Sequence, residues 1–176
     1  MEKSIKLVKQ AKKGNVDAFA KLYETVYEDM YRFALYTLGN AHDAEDVVSE
    51  AVTSAFATIR KLRLDEAFKG WIFRILSNKC NEKIREYTKR NSSFEQEIQQ
   101  NNQKMQNAVS GEDMTGWIAM KGLLRELPKE ERMILCMHIF GGYKTREIAG
   151  ILHMNENTVR SKESRALKKL AEKIGQ

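Results

Sequence analysis

Residues that interrupt helices are scarce in this sequence. Proline occurs once, at Pro128, and glycine only ten times in 176 residues. Proline and glycine mark the frequent tight turns of strand-rich folds, so their scarcity argues against such a fold. Strong strand alternation is also missing. The sequence therefore predicts long helices and an all-α protein.

Cysteines and long apolar runs are equally scarce. Cys80 and Cys136 belong to no Cys-x-x-Cys or Cys/His cluster, which argues against a structural zinc site and favours buried free thiols in a reduced compartment. Residues 1–14 lack the apolar core of a signal peptide, and no apolar run approaches the ~20 residues of a membrane span. We expect a cytoplasmic protein with no metal or other cofactor.

Catalytic signatures are missing as well. His42, His138 and His153 are far apart in the sequence. No nucleophile elbow, phosphate loop or metal-ligand spacing accompanies them. Each histidine is better explained as a surface or packing residue, so the sequence predicts that the protein is not an enzyme.

The charge present is unevenly distributed. The net charge of +6 comprises +4 in residues 1–90 (17 basic, 13 acidic), −3 in 91–116 (1 and 4) and +5 in 117–176 (12 and 7). Two basic ends around an acidic middle suit two nucleic-acid-facing modules joined by a linker. A basic protein with no polyanionic partner would show the same charge.

Apolar spacing divides the chain into helices and one polar segment. The predicted helices are Ser4–Lys13, Asp17–Leu38, Ala41–Leu62, Phe68–Arg90, Trp117–Leu127, Lys129–Phe140, Lys144–Leu152 and Glu156–Ile174. Asn91–Asp113 holds five Gln and four Asn, which favours a flexible linker; a further polar helix docked on the first domain is the alternative. The prediction is a four-helix domain in residues 1–90 and a second helical domain in 114–176.

The strongest local signal is the spacing of a helix-turn-helix over Thr145–Val159. Ala149 is small enough for a second helix to cross closely, and Asn155 or Glu156 can cap that helix. The apolar residues that would join the two helices are Ile148, Leu152 and Val159. The donor-rich surface of the second helix suits phosphates and guanine edges. An ordinary helical hairpin with a solvated basic face is the alternative.

Two residues depart from the usual pattern of this motif. His153 stands in the turn, where glycine is common. Glu163 falls on the apolar stripe of the second helix, so its carboxylate must turn outward or pair with a neighbour such as Lys162 or Lys144.

Several segments together resemble one known family. Leu127–Arg132, Phe140–Ala149 and Thr158–Leu170 are similar to domain four of bacterial RNA polymerase sigma factors. Asp43–Glu50 resembles the signature of sigma domain two, and Phe68–Ile75, followed by Asn78, resembles its DNA-melting helix. Domains two and four on so short a chain, without domain three, are typical of the extracytoplasmic-function (ECF) class.

The resemblance implies a function and its partners. The chain would be an alternative sigma factor that directs core RNA polymerase to specific promoters and promotes melting of the −10 element. It would be a monomer when free and would bind core polymerase and promoter DNA. An anti-sigma protein, free or anchored in a membrane, would hold it inactive.

The resemblance also implies three sets of site residues. Polymerase binding is expected at Asp43, Glu45, Asp46 and Glu50. Binding of the −10 element is expected at Arg63, Leu64, Asp65, Phe68, Trp71, Arg74 and Asn78. Reading of the −35 element is expected at Arg160, Ser161, Lys162, Ser164, Arg165 and Lys168.

Alternatives remain for these assignments. Asp43, Asp46 and Glu50 share one helix face by their spacing, and such a face can simply be solvated. Phe68 and Trp71 lie on an apolar stripe and can be core residues. A stand-alone helix-turn-helix repressor, with residues 1–90 as a sensor or dimerisation domain, is the alternative function and predicts a dimer.

Overall fold

The computed structural model of the protein describes residues 2–90, 120 and 122–174. Within these ranges every regular element is helical, which confirms the all-α prediction. The predicted linker at 91–113 lies outside the described residues. None of the described helices combines the length and the apolar character that a membrane crossing requires.

The first half of the protein, residues 2–90, contains five α-helices. They are α1 (Glu2–Lys12), α2 (Val16–Glu24), α3 (Tyr27–Leu38), α4 (Ala41–Thr58) and α5 (Phe68–Arg90). Short 3-10 turns at Ile59–Lys61 and Asp65–Ala67 connect α4 to α5. Helix α5 has the predicted bounds, and α4 starts as predicted because Asn40 Oδ1 accepts the Asp43 amide at 3.2 Å.

The single helix predicted over Asp17–Leu38 is wrong, because the chain breaks at Thr25 and Val26. The Thr25 hydroxyl donates to the Leu22 carbonyl at 2.6 Å, and the Val26 amide donates to the Tyr23 carbonyl at 2.9 Å. Two consecutive β-branched residues and a hydroxyl that competes for a backbone carbonyl both disfavour continuation of a helix. The first half thus has one helix more than the sequence predicts.

The second half, residues 120–174 without 121, holds three longer helices after a helical turn at 122–125. These are α6 (Lys129–Ile139), α7 (Thr145–Leu152) and α8 (Glu156–Ile174). Pro128 has extended backbone and precedes α6 as its N-cap, one position before the first-turn position that proline favours. Its carbonyl accepts the Arg132 amide at 2.9 Å.

A tight glycine turn after α6 places Tyr143. Gly142 has a φ of +67°, which favours glycine. A Cβ on Gly141 would collide with the Tyr143 ring and lie 2.6 Å from the Met137 carbonyl oxygen. The Tyr143 amide donates to that same carbonyl at 3.3 Å. The turn therefore folds the Tyr143 side chain back into the core.

One apolar core extends through both halves. Helix α3 packs on α6, and α5 packs on α7. Across this boundary the rings of Tyr36 and Phe140 stack with centroids 4.8 Å apart, and Phe73 meets Tyr143 edge-on at 5.5 Å. Each half contributes its own helices to this core, and the two halves are in direct contact. The boundary at 91–113 stays a prediction.

Candidate nucleic-acid interface

Helices α7 and α8 pack together as the helix-turn-helix spacing predicts. Ile148 and Val159 are fully buried and Ala149 is nearly so, while Leu152 is half-buried. The small Ala149 side chain permits a close crossing of the two helices. The apolar positions chosen from sequence are therefore those that join the helices.

The backbone of His153 adopts the left-handed conformation that makes glycine common in this turn. Its φ of 55° and ψ of 41° are left-handed, and its amide donates to the Ala149 carbonyl. Non-glycine residues adopt this conformation at a cost, and among the described residues other than glycine His153 alone has a positive φ. Its imidazole Nε2 lies 2.7 Å from Arg74 Nη2 of α5, a contact between the two halves.

Both helices of the motif are capped at their N-termini. Asn155 Oδ1 accepts the Asn157 amide at 2.9 Å, which satisfies a free donor at the start of α8. The Glu147 carboxylate accepts the Lys144 amide at 2.8 Å at the start of α7. Of the two capping residues considered from sequence for α8, the structure uses Asn155.

Four predicted −35 residues form one exposed face of α8, here called the reading face: Ser161, Ser164, Arg165 and Lys168. They recur at i, i+3, i+4 and i+7. Arg165 is 60% exposed and Lys168 78%. Lys168 lies 4.0 Å from Glu172, and surface pairs of this kind are weak. The reading face is therefore cationic, rich in donors and open to a polyanion.

The side chains of the two other predicted −35 residues, Arg160 and Lys162, are held by ion pairs within the protein. Arg160 pairs with Glu156 one turn earlier, at 3.0 Å. Lys162 is only 22% exposed and its ammonium lies 2.6 Å from Glu130 of α6. Lys162 thus points away from the reading face and ties α8 to the start of α6.

Glu163 pairs with neighbours, one of the two expected outcomes, but with different ones. Its carboxylate accepts the Thr145 hydroxyl at 3.3 Å and lies 3.3 Å from His138 Nδ1. Lys162, which the sequence suggested, is occupied by Glu130. Glu163 therefore joins α8 to the start of α7 and the end of α6.

Sequence reasoning missed Glu131, a buried carboxylate beneath the reading face. Glu131 is 4% exposed. It lies 3.0 Å from Lys169 and 3.7 Å from Arg165. A buried charge requires partners of this kind. The only sequence signal is an acidic residue two positions before the apolar run that starts at Met133.

The loop before α5 carries the first predicted −10 residues. Leu64 is 61% exposed, and Arg63 is exposed beside it. Asp65 forms an ion pair with Lys12 of α1, which ties this loop to the first helix. Phe68 is 3% exposed, so it occupies the core position that was the alternative to base stacking.

The remaining −10 candidates share the outer face of α5, defined by Trp71, Arg74 and Asn78 at i, i+3 and i+7. Arg74 and Asn78 are exposed and Trp71 is half-buried. The Trp71 ring can stack on a base, the Arg74 guanidinium can contact phosphate, and the Asn78 amide can hydrogen-bond to a base edge. This face is therefore suited to single-stranded nucleic acid.

Much of the predicted polymerase face is engaged within the protein. Lys83 of α5 lies 3.3 Å from Asp43 and 3.9 Å from Asp46, and Lys79 lies 3.2 Å from Glu50. The hydrogen bond that Lys79 donates to the Glu50 carboxylate is the largest cause of the raised pKa of Lys79. His42 forms a possible cation-ligating cluster with Asp43 and Asp46, but Lys83 already supplies positive charge there and we assign no metal.

Glu45 differs from the other three acidic residues. It is exposed and borders a groove of about 340 Å³ lined by Tyr23, Tyr27 and Tyr31. Burial raises the pKa of the Tyr31 phenol, and the nearby Glu45 raises it further. Tyrosine at every fourth position was the sequence signal for this groove, which sequence reasoning missed.

Two family models match the chain. The one described as Sigma-70 region 2 matches residues 22–91, and the one described as Sigma-70, region 4 matches residues 118–170. The first contains α3, α4 and α5, and the second contains the helix-turn-helix. Together they include every predicted site residue.

Curated relatives match over nearly the whole chain. The ECF RNA polymerase sigma factor SigW of Bacillus subtilis is 26% identical over 96% of this chain and 95% of its own length. The ECF RNA polymerase sigma-E factor of Escherichia coli is 27% identical over 96% of this chain and 92% of its own length.

Solved structures share the fold. The structure of CnrH in complex with the cytosolic domain of CnrY matches with a TM-score of 0.73 and 21% identity, covering 98% of this chain and 97% of that one. The sigma factor RpoE from Bartonella quintana, solved with the anti-sigma factor NepR, gives a TM-score of 0.67 and 21% identity, covering 89% and 96%.

Proposed function

The chain belongs to the bacterial RNA polymerase sigma factors, in their ECF class, and we propose that it reads the −35 element with α8 and opens the −10 element with α5. As an alternative sigma factor it directs core polymerase to specific promoters. One observation supports these two roles. The same chain presents an exposed, donor-rich reading face on α8 and an aromatic and cationic outer face on α5.

The proposed roles follow the chemistry of each face. Arg165 is the base reader of the −35 element, because an exposed guanidinium can donate two hydrogen bonds to guanine, and Lys168 contacts the backbone phosphate. On α5, Arg74 holds phosphate, Asn78 contacts a base edge and Trp71 offers its exposed edge to an unstacked base. Leu64 extends from the loop toward the extruded base.

Polymerase contact centres, in this proposal, on Glu45 and the tyrosine-lined groove beside it. Glu45 offers an exposed carboxylate to a basic partner surface, whereas Asp43 is buried against Lys83. Glu45→Lys should therefore weaken core binding more than Glu86→Lys, the same charge reversal at an exposed carboxylate of α5 that does not line the groove. Equal core affinity of both variants would exclude Glu45 from the contact.

We further propose an anti-sigma protein as the regulatory partner and the cytoplasm, where core polymerase works, as the location. The proposal rests on the family's usual mode of control. We assign no catalytic activity or cofactor to the chain itself. The repressor alternative finds no support among the matched relatives, which are named as sigma factors.

Run-off transcription tests the function. Purified protein is added to bacterial core polymerase on a library of random promoter fragments, with core alone as the control. Transcripts that appear only with the protein, from templates sharing two short elements, are expected. Folded protein and active core without such transcripts would contradict the proposal and favour a search for a palindromic operator.

A further inference from the structure

A buried carboxylate of α6 lies against the base-reading side chain of α8. Glu131 is 4% exposed, and its two oxygens have different partners. Oε2 accepts a hydrogen bond from the Lys169 ammonium at 3.0 Å, and Oε1 lies 3.7 Å from Nε of Arg165. Because Arg165 and Lys169 are four residues apart, they lie on the same side of α8 and share this one carboxylate.

The contacts of the Arg165 guanidinium are made at one end of the group. Its Nε lies beside Glu131 and also donates to the Ser161 carbonyl at 3.3 Å. A guanidinium carries one donor at Nε and four at its two terminal nitrogens. Both contacts within the described part of the chain use Nε, so the terminal nitrogens remain available for the paired hydrogen bonds that recognise guanine.

The backbone that carries Glu131 is held firmly in the core. Helix α6 packs on α8, and the neighbouring residues Met133 and Ile134 are buried. An exposed arginine without such a partner samples many rotamers, and ordering it at an interface costs binding free energy. A guanidinium that is already ordered avoids this cost and reaches fewer alternative acceptors on the DNA. The carboxylate therefore affects which base Arg165 selects.

Lys169 compensates the negative charge of Glu131. A carboxylate near a DNA-binding surface repels phosphate, and a buried one is unfavourable without a partner. The Lys169 ammonium, 47% exposed, lies within hydrogen-bond distance of it. Two cations and one carboxylate leave the cluster with a net positive charge. Glu131 can therefore hold Arg165 without making the reading face repel DNA.

We propose that Glu131 is a positioning residue for the −35 element: it holds Nε of Arg165, leaves the terminal nitrogens to the base edge, and so sets how strongly the protein prefers guanine at that position. The inference rests on the proposed function, in which Arg165 is the base reader. Glu131 is buried beneath the reading face and acts only through Arg165. Its removal should therefore relax base preference more than it lowers total initiation.

NMR spectroscopy of the free, full-length protein tests whether Glu131 holds Arg165. The Nε–H signal of Arg165 is identified by its loss in Arg165→Ala, and its exchange with water is measured. Exchange should be several-fold faster in Glu131→Leu than in wild type. Glu130→Gln is the matched control, because Glu130 pairs with Lys162 of α8 and should leave this exchange unchanged. Unchanged exchange in Glu131→Leu would overturn the inference without any transcription assay.

Transcription from promoters with a randomised −35 element measures base preference. Core polymerase is combined with each variant, and transcripts are counted for each base at each position. Wild type should prefer guanine about tenfold at the position read by Arg165, and this preference should fall to about threefold in Glu131→Gln and Glu131→Leu. Glu130→Gln, which also removes one negative charge and one ion pair between α6 and α8, should keep the wild-type preference.

A double-mutant cycle separates positioning from a merely structural role. If Glu131 acts through Arg165, adding Glu131→Leu to Arg165→Ala should leave the base preference unchanged. Circular dichroism should show both Glu131 variants folded, because an apolar residue often replaces a buried ion without loss of stability. Wild-type preference in both of them, or a further loss in the double variant, would overturn the inference. Failure of wild type to initiate would count against the proposed function instead, and the Nε–H exchange would still decide whether Glu131 holds Arg165.

Discussion

Arg165 has the exposure and the freedom that a base-reading side chain requires. It is 60% exposed on the reading face. Its guanidinium donates one long hydrogen bond, 3.3 Å, to the Ser161 carbonyl and lies 3.7 Å from Glu131, so most of its five donors stay available to a base. Arg165→Ala should reduce initiation from −35-dependent promoters about tenfold, because a bidentate base contact is worth about 1–3 kcal/mol. Run-off transcription measures the effect.

The control for that experiment is Lys173→Ala, at the far end of α8 from the turn. Lys173 is paired with Glu126 and should leave initiation nearly unchanged. Arg165→Ala should retain its affinity for core polymerase. Loss of core binding in this variant would contradict the assignment of Arg165 to DNA.

Tyr143 carries an unsatisfied hydroxyl at the interface between the halves. Its oxygen is buried without a hydrogen-bond partner, and burial raises the pKa of the phenol. Tyr143→Phe should stabilise the protein by about 1 kcal/mol, because an unpaired buried hydroxyl is unfavourable. Thermal unfolding should show a Tm about 2–4 °C higher.

Tyr27→Phe is the matched control for Tyr143, because Tyr27 is 46% exposed and water can satisfy its hydroxyl. Its Tm should be unchanged. A lower Tm for Tyr143→Phe would mean that the Tyr143 hydroxyl has a partner, and the interface would have to be described differently.

At the residue scale, spacing predicted which side chains share a face but not what they touch. Ser161, Arg165 and Lys168 could be grouped from the helical period alone. The partners of Glu163, by contrast, come from α6 and α7, and no rule of spacing along α8 identifies Thr145 or His138. The pairing became visible only when three helices were placed together.

The start of α8 depends on one capping side chain. Asn155→Ala removes the acceptor of the Asn157 amide and should destabilise the protein by about 1 kcal/mol, seen as a Tm lower by about 2–4 °C. Asn157→Ala, which keeps that amide and changes only an exposed side chain, is the control. An equal loss in both variants would exclude capping as the cause.

At the element scale, long helices were predictable and an internal break was not. The bounds of α5 and α8 follow from sustained apolar stripes with clear limits. The stripe through α2 and α3 continues across Thr25 and Val26, because Val26 itself is buried. The break is marked by two β-branched residues, Thr25 and Val26, and by the Thr25 hydroxyl bonded to the Leu22 carbonyl. Such residues also occur inside helices, so the sequence alone does not identify the break.

At the scale of the whole molecule, the shared core predicts cooperative unfolding. Because α3, α5, α6 and α7 share one core, the free protein should unfold in urea in a single transition. Circular dichroism and thiol reactivity should give the same midpoint. In Phe140→Lys the two should diverge, with the thiols exposed at lower urea. Two separate transitions in wild type would show that the halves fold independently.

The contact between the halves was beyond sequence reasoning for a physical reason. Tyr36, Phe140 and Tyr143 each lie among the apolar residues of their own half, where the sequence suggests a core position within that half. Hydrophobic attraction is non-directional, so a stripe does not reveal which surface will bury it. The sequence accordingly predicted both helical groups and left their mutual arrangement open.

The ring stack of Tyr36 on Phe140 also limits how this chain can exchange parts with its relatives. Each family model matches one half, which invites the joining of one protein's first half to another's second half. Such a chimera would bring together two surfaces that were never selected as a pair, and a smaller or charged side chain at either ring position would leave the other ring exposed. We expect these hybrids to unfold at a lower temperature than either parent, because a mismatched interface buries less apolar surface.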